Sequence, residues 1–156
     1  MKNRIFFIYV LIFSLLQVTF VDYIKIFGAK PDLFAVAVVI AAIYFAPRWA
    51  LAISLFAGIL KDTFSIDAFG INTLLLPILC FLVMRLSKEV TLDNIVASGI
   101  VTFVVIIVYA LLSRLISMYS NNQIPFLAFL RISFFEALYT ALIFPLIFRI
   151  TRKAIY

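Results

Sequence analysis

The sequence predicts an all-α fold: a polytopic integral membrane protein built as a six-transmembrane-helix bundle. Two observations and one physical constraint predict it. Of the 156 residues, 67% are apolar and only 13% are charged, against roughly half and about a quarter in a soluble domain. The charges stand between long uncharged stretches instead of along one face. Helical packing in lipid is the only way to use so much apolar surface. The length suits one domain, residues 1–156.

The uncharged stretches place helices at about 5–21, 32–46, 48–64, 69–86, 94–113 and 127–149. A crossing of the bilayer core takes roughly 20 residues. The shorter stretches gain reach from snorkelling flanks such as Arg4, Arg85 and Arg149. Met1-Lys2-Asn3-Arg4 before the first apolar run resembles a signal peptide, but no small-x-small site follows, so it reads as a retained first helix. Pro47 separates the second and third stretches, because proline lacks a helical donor and disfavours helix in the residue before it. A tight helical hairpin is expected at Ala46-Pro47-Arg48-Trp49, with Arg48 and Trp49 at headgroup level. The third helix is expected to run to Phe64, with Lys61 and Asp62 reaching the opposite interface.

An even number of helices puts both termini on one side. With the N-terminus inside, Lys2, Arg4, Arg48, Arg85, Lys88, Arg149, Arg152 and Lys153 are cytoplasmic. Lys25, Lys30, Lys61, Arg114 and Arg131 then lie outside. The positive-inside rule therefore favours cytoplasmic N- and C-termini. The net charge of +6 is a set of topology signals and headgroup anchors, since its members do not cluster as a nucleic-acid site requires. With no histidine and one cysteine, Cys80, a His/Cys metal site or a Ser–His–Asp or Cys–His relay has no members to build it. No cofactor is expected.

Few residues are candidates for function. Ala50, Ser54, Gly58 and Asp62 recur every four residues and share a helix face. Such a stripe serves either close internal packing or a groove for another protein's transmembrane helix, with Asp62 at its outer end. Glu136 is the one carboxylate well inside an uncharged stretch, near Ser133, Ala137 and Ala141. It needs a partner or a proton, and Arg114, Arg131 and Lys61 are the candidate partners. Asp32, after Pro31, reads as a helix start. Ser65 or Asp67 can cap the fourth helix, and Pro77 is expected to kink it.

In order and spacing, four short motifs resemble the rod shape-determining protein MreD family. They are Leu15-Leu16-Gln17, Pro31-Asp32-Leu33, Gly58-Ile59-Leu60-Lys61-Asp62 and Phe69-Gly70-Ile71-Asn72. Pro31, Asp32, Gly58, Asp62 and Gly70 carry the pattern; Lys61 departs from it, since an apolar residue is expected before that aspartate. The resemblance implies a place in the bacterial cell-elongation machinery. The implied partners are MreC, a single-span protein with a periplasmic domain, the actin-like MreB filament, the glycosyltransferase RodA and its class B penicillin-binding transpeptidase. It also implies a fold similar to the substrate-binding subunits of energy-coupling-factor transporters.

Three functions compete. The first is a non-enzymatic scaffold in the inner membrane that holds the transmembrane and juxtamembrane part of MreC. The second is a small-molecule-binding or transport subunit, for which Gln17, Asn72, Thr73, Tyr109, Glu136 and Tyr139 are the available polar groups. The third is an enzyme acting on lipid-linked substrates, with Asp62 and Asp67 as the only plausible carboxylate pair.

Overall fold

The computed structural model describes residues 8, 10–12, 15–17, 19, 23, 29, 31–64, 70–89, 95–120 and 125–155. Residues 8, 10–12, 15–17 and 19 are helical, within the first expected helix. Five helices follow: α1 Leu33–Tyr44, α2 Pro47–Phe64, α3 Ile71–Glu89, α4 Ile95–Ser120 and α5 Phe126–Ile155. The expected caps Ser65 and Asp67 lie outside the described residues.

Two helices are long and apolar enough to cross a membrane, over Gly99–Ile116 in α4 and Leu130–Thr151 in α5. Both run past the expected ends at 113 and 149. Arg114 and Arg149 do not end them, because arginine is itself a good helix former and apolar residues such as Leu115, Ile116 and Ile150 follow the charges. Pro125 precedes α5 directly, while Pro77 and Pro145 sit inside α3 and α5.

The centre of the bundle is α1. Its 12 residues, LFAVAVVIAAIY, are apolar on every face, and Leu33 through Ala42 are all buried. A helix without a polar side avoids water, in a protein core or in lipid, and here it is the bundle that encloses it. At 1.5 Å per residue it is about 18 Å long, well short of the roughly 30 Å hydrocarbon core. It packs against α2, α3 and α5. Tyr44 stacks on Phe148 at 5.4 Å, and Phe148 on Phe144 at 5.4 Å, closing its C-terminal end.

The hairpin between α1 and α2 comes earlier than expected, with α1 ending two residues before 46 and α2 starting one residue before 48. Phe45 leaves the helix at φ −109° and ψ 155°. Pro47 is the first residue of α2, where its missing N–H is not needed and its fixed φ suits the helix. The Trp49 and Ala50 amides both donate to the Ala46 carbonyl, at 2.9 and 3.0 Å.

The Ala50–Asp62 stripe is filled by the chain itself. Ala50, Ser54, Gly58 and Asp62 are all buried, and α2 makes its most extensive contact with α3. This corrects the reading of the stripe as an open groove: another helix cannot enter a face already occupied by α3. Outside the stripe, α2 exposes Trp49, Leu55 and Ile59.

Gly70 sits at φ +101°, a left-handed conformation at the entry to α3. A Cβ there would meet nothing within 4 Å, so the cost of a side chain is purely conformational. Gly70→Ala is expected to lower stability by about 1–2 kcal/mol, read as a lower melting temperature in detergent with unchanged helical content.

Candidate functional site

Helix starts leave backbone N–H groups without partners. In this chain two such starts, at α1 and α3, are closed by carboxylates of the chain itself. Asp32 caps α1: its Oδ1 accepts from the Ala35 amide at 3.1 Å. Asp62, at the end of α2, reaches across to α3. Its Oδ1 accepts from the Asn72 amide at 3.0 Å and Asn72 Nδ2 at 2.9 Å. Its Oδ2 accepts from the Thr73 amide at 2.8 Å and from the Thr73 hydroxyl. Four donors saturate this carboxylate, and the positive end of the α3 dipole stabilises its charge.

Lys61 joins the two caps. Its Nζ donates to Asp32 Oδ2 and to the Tyr109 hydroxyl at 2.7 Å, and lies 4.9 Å from the centre of the Tyr109 ring. Tyr109 in turn donates to Asn72 Oδ1 at 2.7 Å. The donors therefore run in one direction, from Lys61 through Tyr109 and Asn72 to Asp62.

The corner before α1 is held from two more sides. Gln17 Nε2 donates to the Pro31 carbonyl at 3.0 Å, and Gln17 Oε1 accepts from the Leu33 amide at 2.9 Å. The Thr140 hydroxyl on α5 accepts from the Asp32 amide at 3.0 Å and donates to the Glu136 carbonyl at 2.6 Å. One turn away, Arg114 Nη2 meets Glu136 Oε2 at 2.7 Å.

Thr140 lies near the middle of the Leu130–Thr151 apolar window, and Tyr109 lies within Gly99–Ile116. The polar centre lies inside the bundle, with Asp32 and Asp62 buried and Lys61 half-buried. This corrects the expectation that Asp62 ends an outward surface. Asp62 is 2% exposed, and Lys61 turns inward because a carboxylate and a phenol await its ammonium there.

The sequence motifs meet in this one place. Gln17, Pro31, Asp32, Lys61, Asp62 and Asn72 belong to a single hydrogen-bonded set. Gly58 lets it form, because a Cβ at Gly58 would lie 2.6 Å from Thr73 Cα and 2.8 Å from the Asn72 carbonyl oxygen. Glu136 finds Arg114, one of its three candidate partners. Sequence reasoning missed the Lys61–Asp32 pair, the bridging role of Tyr109 and the hydroxyl of Thr140. The signal for the pair was available: charges enclosed in a membrane bundle must find each other, and Asp32 and Lys61 both border apolar helices.

Apolar helices wrapped around a closed polar centre, two of them long enough to cross a bilayer, define a helical membrane protein. The family model described as rod shape-determining protein MreD matches residues 2–154 of the chain. The chain belongs to the MreD family, a membrane-protein family with a role in determining rod shape. No curated protein and no solved structure matches it.

Proposed function

We propose that this chain is a non-enzymatic scaffold of the bacterial cell-elongation machinery. It sits in the inner membrane with both termini in the cytoplasm, binds the transmembrane and juxtamembrane part of MreC, and so supports peptidoglycan synthesis. RodA, its class B penicillin-binding transpeptidase and MreB join the same assembly. The observation that carries this reading is the closure of the polar centre. In membrane proteins that bind small anions, the N-termini of broken helices point at the ligand. Here those positions are taken by Asp32 and Asp62 of the same chain, which speaks against a substrate-binding role and against the likeness to energy-coupling-factor subunits extending to function. With all four acceptor positions of Asp62 engaged, its carboxylate has a capping role and is not free for acid–base work.

Because α3 occupies the small-residue stripe, a partner helix is received on the outward side of the bundle. The Trp49, Leu55 and Ile59 side of α2 offers one such surface, where close packing and not hydrophobicity drives association. Affinity purification of the chain from its native membrane in mild detergent, with mass spectrometry of the co-purifying proteins, tests the reading. Recovery of MreC with elongation proteins is expected. Recovery of an ATPase pair with a second membrane subunit, and no MreC, would replace it with the transporter reading.

A further inference from the structure

We infer that Lys61 is the internal counter-charge of Asp32, and that this pair positions α1 within the bundle. The argument starts from α1 itself. Leu33 through Ala42 carry no polar side chain, and apolar faces packed in an apolar solvent distinguish one height or rotation from another only weakly. Directional contacts therefore help to fix α1, and three of them meet at its N-terminal corner. Gln17 holds Pro31 and Leu33, Thr140 holds the Asp32 amide, and Lys61 holds the Asp32 carboxylate.

Lys61 differs from the other two in carrying charge. The corner is enclosed by the bundle, with Asp32 2% exposed, and a carboxylate held there without a counter-charge is costly. The other described charged groups close by are already committed. Arg114 is bound to Glu136, and Asp62 is saturated by Asn72 and Thr73. No other described cation contacts Asp32. Tyr109 fixes the far side of the ammonium, by its hydroxyl at 2.7 Å and by its ring, so Lys61 is a braced strut between α2, α4 and the start of α1.

The Asp32 side chain is 3% and the Lys61 side chain 21% exposed, and a pair with a buried member has a recognisable signature: removing one member leaves the other charge in a poor solvent, whereas removing both charges together is well tolerated. The test uses the purified full chain in detergent, without partners, so its outcome is independent of the scaffold role. Lys61→Met keeps side-chain length without charge. Asp32→Asn keeps a good helix cap. Each single variant is expected to melt lower than the unaltered chain by roughly 10 °C, and the double variant to recover most of the loss. Lys61→Arg, which keeps the charge, is expected to stay close to the unaltered chain. If the single variants cannot be purified, recovery of the double variant alone supports the pair. A Lys61→Met variant that melts like the unaltered chain, or a double variant no more stable than its parents, overturns the inference.

Discussion

Asp62→Ala is expected to destabilise the chain by about 3 kcal/mol or more, the largest loss from any single polar side chain outside the Lys61–Asp32 pair. The variant removes the acceptor for four hydrogen bonds at once. Two of the abandoned donors are backbone amides in the first turn of α3, and no water from bulk reaches a residue that is 2% exposed. Each buried donor left without a partner costs about 1–3 kcal/mol, and loss of a helix cap alone costs about 1 kcal/mol. Asp62→Asn is expected to fall between the two. Its amide oxygen can still accept from one donor pair, while its NH2 confronts the other. Chemical or thermal denaturation followed by circular dichroism measures the order: unaltered chain, then asparagine, then alanine. An alanine variant as stable as the asparagine variant would remove the capping role assigned to Asp62.

Gly58→Ala is expected to have the second large effect, about 2 kcal/mol of net destabilisation. Alanine is the better helix former by about 1 kcal/mol, so a solvent-facing glycine would gain from this change. At Gly58 the added Cβ meets Thr73 Cα at 2.6 Å, the Asn72 carbonyl oxygen at 2.8 Å and Thr73 N at 3.0 Å. All three are backbone atoms, which no rotamer change can move aside. The two helices must separate, and overpacking of this kind costs about 1–3 kcal/mol. The strain falls on the same two residues that donate to Asp62, so separation also stretches the cap. The Gly58→Ala and Asp62→Ala effects are therefore expected to be less than additive in the double variant. Fully additive losses would show that the close approach and the cap act independently. A Gly58→Leu variant is expected to lose the α2–α3 contact outright.

These two effects explain why the stripe of small residues could be read in two ways from sequence. Ala50, Ser54 and Gly58 announce that some helix approaches closely, and the spacing says which face it meets. The identity of that helix is a separate matter. In the structure it is α3 of the same chain, and the decisive detail is that Gly58 lies against Asn72 and Thr73 while Asp62, one turn on, holds their amides. Asp32 was easier to read, because a cap and the helix it closes are neighbours in sequence. Its partner Lys61 was harder, because the two stand 29 residues apart. Glu136 was half legible: its need for a partner follows from one dimension, the choice of Arg114 from three.

By itself the sequence determined that this chain is a helical membrane protein and which family it belongs to. Those properties follow from local composition, from the spacing of charges and from short ordered motifs. Only the tertiary structure decided which faces meet: that α1 is enclosed on all sides, that the stripe on α2 is spent on α3, and that Gln17, Asp32, Lys61, Tyr109 and Thr140 share one centre. The reason is physical. In lipid, apolar side chains are at home whether they face a neighbour or the solvent, so hydrophobic pattern marks a segment as buried in the membrane without marking the side that packs. The information that does select a partner resides in hydrogen bonds and charges between residues 48 and 108 positions apart, and those pairings exist only once the helices have assembled.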